Sequence, residues 1–458
     1  MRSTGGHTRR AVVGRTATAA LGVLSTSAVA CGAGGTNSAI NERLGTNGFT
    51  FKDPVAVTYW QSLGGASGEA QVKLTNDFNT QRADVRATLE NVGAYEQASQ
   101  KLIAALAGGT PPDVMMLTVD QHMPAFARQG ALHPLDAYAK GDKSAQFDKY
   151  APGFIKNGIV GGKLYQLPLA RSTPILYYNK DHFRSAGMPD QPPSTWPQLL
   201  ETGQRLVRAG VAQPDSADGS RAAFHASPWW WPFQSMVWTF SGRYSDEKFT
   251  TTMTQPETVQ AMEFLADLAQ RHRVARAYKG RGGDPQKAFI EGRISMYTGS
   301  TAGLNSVQTA ASFQVGTAFM PGHKARAVPS GGSGMSILSS ISQEKKEASW
   351  EYLKHMTSTP STVLFSQASG YMVVRTDALQ TPAFQKYLAE NPNAKVTFDQ
   401  MQYVRTQDSI VEVPQGTVTI EAAMERVLFS EVPAKTAFDD LQRELVVLAQ
   451  RAGVGAAK

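Results

Sequence analysis

Reactive chemistry needs particular side chains at particular spacings, and this chain offers few of them. Its eight histidines are scattered, and no two stand one helical turn apart as a zinc site on a helix face requires. Cys31 is the single cysteine, so paired-thiolate metal sites and intramolecular disulfides are excluded. The run Gly158-Ile159-Val160-Gly161-Gly162-Lys163-Leu164 is one residue short of a phosphate loop and has Leu164 where a hydroxyl must hold magnesium. Ser333, in Gly331-Gly332-Ser333-Gly334-Met335, lacks the closing glycine of a nucleophile elbow. No catalytic residue, metal or cofactor is expected, although carboxylates are numerous enough to leave an acid–base pair open. What remains is binding chemistry: glycine-rich segments whose backbone N–H groups can approach an anion or hydroxyl, aromatic faces with polar tips, and arginine as a forked cation. The run Trp229-Trp230-Trp231 lies between Pro228 and Pro232, with Trp238 close behind. Neighbours on a strand or helix point apart, so at least one of these rings is expected to face a cleft.

To act together these groups must be carried to one place. Residues 55–60 read as a buried strand, and 69–79 as a helix with Val72, Leu74 and Phe78 inward. Residues 84–92 alternate at the strand period. Residues 95–107 follow as a helix with Ala98, Leu102, Ile103 and Leu106 on one face, closed by Gly108 and Gly109. Residues 113–119 are another buried strand. This alternation implies a parallel α/β sheet with ligands beyond its carboxyl edge, which gathers Trp60, Gln61, Tyr95 and Asp120 at one rim.

The apolar run Ile175-Leu176-Tyr177-Tyr178, entered through Ser172, Thr173 and Pro174, reads as a strand crossing into a second sheet. Beyond it come a helix over 195–209, a polar loop over 214–220, and a helix begun by a capping box of Thr254 and Glu257. A short helix over 285–291 precedes a strand at 294–297, which enters a polar loop, 298–305, holding Ser300 and Thr301. Strands over 313–320 and 335–338 frame a Gly/Ser loop at 330–334. Helices over 344–356 and 361–368, a turn and strand at 370–374, and amphipathic helices over 417–429 and 435–451 complete the chain.

The first thirty residues read as an export signal. Arg2, Arg9, Arg10 and Arg15 flank a weakly apolar stretch too short and polar to span a bilayer, and no acid precedes Cys31. Arg9-Arg10 resembles a twin-arginine signal, and Ala28-Val29-Ala30-Cys31 a lipobox with Cys31 as the lipidation site. Cleavage before Cys31 would remove four of the positive charges behind the formal net charge of +7, so the basic balance argues little for nucleic acid. Residues 31–52, rich in Gly, Asn, Ser and Thr, read as a flexible tether.

Several strings together resemble the extracellular solute-binding proteins of ABC importers. They are Tyr59-Trp60-Gln61-Ser62, Ala94-Tyr95-Glu96-Gln97, Ala170-Arg171-Ser172-Thr173-Pro174, Tyr177-Tyr178-Asn179-Lys180 and Gly242-Arg243-Tyr244-Ser245-Asp246. Further on stand Gly299-Ser300-Thr301, Gly331-Gly332, Ser369-Gly370-Tyr371 and Arg405-Thr406-Gln407-Asp408. The Tyr-Tyr-Asn-Lys string is shared with many sugar binders. The combination is similar to the branch that takes glycerol-3-phosphate and glycerophosphodiesters.

The resemblance implies an α/β, two-lobed, periplasmic-binding-protein-like (class II) fold, with a ligand cleft between lobes joined by hinge strands. The first lobe would comprise 53–169 plus 308–357, and the second 170–307 plus 358–458. It implies that Tyr95 and an acid, Asp120, hold glycerol hydroxyls. Ser172, Ser300 or Thr301, the Gly331-Gly332 backbone, Tyr371 and Arg405 would surround the phosphate, and Trp231 and Trp238 would wall the cleft. The implied protein is a monomer, lipid-anchored outside the cell membrane. It is no enzyme and no nucleic-acid binder, and it delivers a glycerophosphocholine-like ligand or glycerol-3-phosphate to ABC permease subunits. The alternatives are an oligosaccharide-binding protein and an extracellular glycan- or phosphodiester-cleaving enzyme.

Overall fold

The computed structural model describes residues 44–45, 48–213, 221–277, 285–429 and 432–454. The expected signal, Cys31, most of the tether and the polar loop at 214–220 lie outside the described residues. The chain opens with β1 (Val55–Gln61), α1 (Gly65–Gln81), β2 (Val85–Asn91), α2 (Tyr95–Ala107) and β3 (Val114–Thr118). Strand β1 pairs in parallel with both β2 and β3, as the alternating pattern predicts. Then come α3 (His122–Arg128) and β4 (Leu167–Ser172), whose six residues are all buried. Strand β5 (Pro174–Asn179) follows after the single residue Thr173.

Farther along lie β6 (Ala222–Ala226), α4 (Trp230–Thr239), β7 (Ala275–Ala277), β8 (Ile294–Ser300), β9 (Val315–Ala318) and β10 (Gly331–Ile337). Helices α5 (Gln343–Met356), α6 (Thr359–Ser369), α7 (Gly416–Leu428) and α8 (Ala434–Arg451) are the later ones that bear on the site.

The strands form two five-stranded sheets, ordered β2-β1-β3-β10-β4 and β9-β5-β8-β6-β7. In the first, β10 runs antiparallel to β3 and β4; in the second, β5 runs antiparallel to β8 and β9. Each sheet has its own core. Tyr59, Trp350 and Tyr352 pack with the first, and Leu176, Trp196 and Phe224 with the second. The fold is therefore the expected two-lobed α/β one.

The chain passes between the lobes at 172–174, again between β9 and β10, and again after Val374. Sheet membership puts residues 315–318 with the second lobe and α6, which packs on α1, with the first. The sequence expectation divides these segments the other way, because amphipathic pattern does not say which of two cores a segment joins.

Thr173 is fully buried where the first crossing occurs. Its N–H donates to Thr301 Oγ1 (3.2 Å), its carbonyl accepts from Thr301 N (3.0 Å), and its hydroxyl accepts from Gln400 Nε2 (3.2 Å). A crossing strand has no ladder partner at the crossing itself, so these bonds satisfy backbone groups that would otherwise be buried alone.

Some local expectations are corrected. Val72 and Ile103 are 46% and 57% exposed, because the buried faces of α1 and α2 run through Leu74 and Phe78 and through Ala98 and Leu102. Thr254 does not cap the helix Pro256–Gln270; its hydroxyl donates to Gln442 Oε1 (3.1 Å). Residues 330–334 are not a loop: β10 begins at Gly331. The expected tether also ends early, since Phe49 is 1% exposed, stacks edge-on against Tyr138 and donates its N–H to Glu351 Oε1 (2.8 Å).

Candidate functional site

Between the lobes lies a cleft of about 580 Å³. The first lobe supplies its floor from strand ends and one helix start. Tyr95 opens α2, and its hydroxyl shares a 3.0 Å hydrogen bond with Ser333 Oγ. Tyr371 lines the same wall, with its ring stacked on Phe365 at 5.5 Å. Burial pushes both phenols up, Tyr371 well above its ordinary range, so both serve as neutral hydroxyls. Gly370 (φ +85°) turns the chain out of α6, and a Cβ there would meet Thr301 O at 3.0 Å.

Asp120 follows β3. Its carboxylate accepts from Thr118 Oγ1 and from Gln121 N (2.8 Å). His122 links Thr118 (3.2 Å) to Glu96 (3.2 Å), a chain that fixes the rim beside Asp120. Ser172 ends β4, and Ser300 ends β8, where its Oγ caps the following turn by accepting from Ala302 N (3.2 Å). Gly331 and Gly332 form the wall facing Trp231. A Cβ on Gly331 would lie 2.4 Å from the Trp231 ring, and one on Gly332 2.0 Å from Ala170 O, so this close approach requires glycine at both positions.

The second lobe supplies the aromatic side. Trp229, Trp230 and Trp231 all line the cleft at the start of α4, with Trp229 and Trp231 in ring contact at 5.4 Å. The expectation of at least one cleft tryptophan thus understates the wall. From α7, Thr417 closes the rim by accepting from Gln121 Nε2, and Arg128 of α3 pairs with Glu412; both contacts join the lobes.

Three expected ligand residues stand elsewhere. Thr301 is fully buried and holds the Thr173 crossing, because residue alternation at the end of β8 gives the cleft position to Ser300. Trp238 is committed to Asp408 through Nε1 (2.9 Å). Arg405 is exposed on a short strand, Val404–Arg405, beside Val328–Pro329, and it lines an adjoining cavity of about 650 Å³. Gln407 belongs to both cavities and donates to Ser330 O (2.6 Å). Trp60 and Gln61 are also off the cleft: Lys101 covers the Trp60 ring at 4.4 Å, and Gln61 is buried, accepting from Leu63 N.

The cleft residues that sequence reasoning missed include Gln121, beside Asp120 on the first lobe, and Thr417 and Glu421 at the start of α7 on the second. No local signal marks them. Gln407 stands in the string Arg405-Thr406-Gln407-Asp408, two residues after Arg405. Among the described residues no cluster suited to a metal ion occurs.

Two sheets joined by crossing strands, with polar and aromatic groups converging from both on one cleft, define a ligand-capturing protein. Residues 73–419 match the model of a bacterial extracellular solute-binding protein, and the chain belongs to that family. It is the substrate-binding component of an ABC importer. It is similar to the crystal structure of UgpB from Mycobacterium tuberculosis in complex with glycerophosphocholine. That match has a TM-score of 0.79 and 32% identity, covering 86% of this chain and 98% of that one. It is 25% identical over 405 residues to the sn-glycerol-3-phosphate-binding periplasmic protein UgpB of Rhizobium meliloti, covering 86% of this chain and 94% of that protein. The GacH receptor of Streptomyces glaucescens shares the fold, with a TM-score of 0.74 at 22% identity, covering 87% of this chain and 99% of that one.

Proposed function

We propose that the cleft captures a glycerol phosphate, either glycerol-3-phosphate or a glycerophosphodiester such as glycerophosphocholine, for delivery to the permease. The observation that carries this reading is the convergence of Tyr95, Asp120, Ser172, Ser300, the Gly331-Gly332 backbone and Tyr371 on one cleft. Asp120 and Tyr95 suit vicinal hydroxyls; the serines, the glycine N–H groups and Tyr371 suit phosphate oxygens. The tryptophan wall suits a choline cation by cation–π attraction. Arg405 stands two residues from the shared Gln407, on extended backbone roughly 7 Å away, and closure of the lobes brings its guanidinium towards the phosphate. In this reading the protein is a monomer held outside the cell membrane by lipid on Cys31 after twin-arginine export, and it acts without cofactor or catalysis.

The second reading, an oligosaccharide binder, draws on the same wall of Trp229, Trp230 and Trp231, which could stack sugar rings. Calorimetry against glycerophosphocholine, glycerol-3-phosphate and maltose separates the two. The expected result is binding of a phosphate ligand and no heat with maltose. Arg405→Ala should then weaken phosphate binding by roughly ten- to a hundredfold, the value of a hydrogen bond to a charged group. Tight maltose binding with no response to either phosphate would overturn the ligand class.

A further inference from the structure

Arg171 is costly to bury unless something outside the chain helps to account for it. It stands on β4 immediately before Ser172, is 0% exposed, and is among the largest fully buried side chains. Its Nη2 donates to Asn157 Oδ1 (2.7 Å) and Ser330 Oγ (2.6 Å), both neutral acceptors. Its Nε and Nη1 are buried without any hydrogen-bond partner. Its guanidinium lies over the Phe154 ring at 5.3 Å, and among the described residues it makes no direct ion pair; the carboxylate that acts on it, Asp120, does so through space. Buried charges are ordinarily paired, because an uncompensated one costs several kcal/mol in desolvation. Burial lowers its pKa to about 9, which leaves it a cation at neutral pH.

Its position says where the missing charge belongs. Ser330 lies next to the Gly331-Gly332 wall, Asn157 lines the adjoining cavity, and Asp120 and Tyr95 of the cleft feel its field. The cation thus sits beneath the floor of the cleft, sealed from solvent. A charge in that place is not screened by salt as a surface arginine would be, and it acts on whatever fills the cleft without touching it. We propose that Arg171 is a specificity-determining cation whose charge, offset in the empty cleft by Asp120, is drawn on by the anionic group of the bound ligand. This rests on the glycerol phosphate reading and adds an electrostatic criterion to it: affinity grows with the charge of the ligand's phosphate.

The test uses the two ligands as a charge series. At pH 7.5 the phosphate of glycerol-3-phosphate carries nearly two negative charges, whereas that of glycerophosphocholine, a zwitterion balanced by its choline, carries one, so the series is one of phosphate charge. Arg171→Met removes the charge and retains apolar bulk. It should weaken glycerol-3-phosphate binding about a hundredfold and glycerophosphocholine binding about tenfold, on the order of tenfold per phosphate charge. The melting temperature of the ligand-free protein should stay level or rise, because an unpaired buried cation has gone. A purely structural residue would give equal losses for both ligands and a lower melting temperature, and that result overturns the proposal, as do unchanged affinities. If Arg171→Met does not fold, Arg171→Lys decides. It keeps the charge and loses the fork, so both affinities should fall by less than about tenfold with their order preserved; a larger, equal loss overturns the proposal. Failure of the wild type to bind either phosphate would instead remove the functional reading beneath it.

Discussion

The contact of Gly331 with Trp231 shows how little tolerance the cleft has at the level of single atoms. The indole lies where a side chain on residue 331 would be, and its Nε1 is buried without a partner, so the ring is held by packing alone. Gly331→Ala should drive the ring from its place at a cost of about 1–3 kcal/mol, typical of overpacking. The expected outcome is a folded protein with a shifted tryptophan emission and at least tenfold weaker ligand binding; an unchanged spectrum with unchanged affinity would show that the wall is not formed this way. Residue type and motif made Ser172, Ser300 and Tyr371 legible as cleft residues. They could not separate Ser300 from Thr301, which differ only in the side of the strand end they face. Nor could they single out Arg171 over Arg405, since burial is a property of the folded chain and both arginines stand in equally polar strings.

Elements carry a different kind of information. The parallel arrangement of β1, β2 and β3 was legible because period and alternation are properties of a short window. Strand β10 was legible only from Met335 onward, because its glycines imitate a loop; Gly332 and Gly334 let β4 come close, a requirement set by a segment far away in sequence. Asp408, which precedes the turn Ser409–Glu412 packed on α3 and α7, carries a testable pH dependence. Burial raises the pKa of Asp408, whose Oδ2 accepts from Trp238 Nε1 (2.9 Å) and Tyr244 N (2.8 Å). A carboxyl raised in the folded state holds its proton more tightly there than when unfolded. Its stabilising contribution is therefore complete below the ordinary value of 3.8 and is lost as pH rises through the folded value. Asp408→Asn keeps an acceptor oxygen for both donors and removes the titration. Its melting temperature should gain on that of the wild type as pH climbs above 4, and parallel curves across that window would contradict the assignment.

At the scale of the whole molecule, side-chain pairs among the described residues tie the two lobes across the cleft. Arg128 with Glu412, Gln121 with Thr417, and Lys156 with Glu247 at 3.7 Å span the cleft, while the Thr173 crossing fixes the pivot. A ligand that contacts both lobes favours the closed arrangement by its difference in affinity between the two states. Small-angle scattering with saturating glycerophosphocholine should give a smaller radius of gyration than the ligand-free protein. Superimposable curves under saturation would mean that capture proceeds without closure. The two-lobed architecture was foreseeable from a string at the crossing. The assignment of later segments to one lobe or the other was not, because it depends on which of two equally apolar cores each helix finds.

The docking of Leu44 and Phe49 on the first lobe would limit where a protein attached at Cys31 could travel. Under the proposed lipid attachment, the thirteen residues from Cys31 to Leu44 span at most roughly 45 Å. One molecule confined to a hemisphere of that radius is at an effective concentration on the order of millimolar. A transporter within reach therefore meets its loaded receptor without long-range diffusion, and even a weak docking affinity suffices. Because such a link would leave from the first lobe, the second could swing without dragging the anchor, and opening to release cargo would involve no work against the tether.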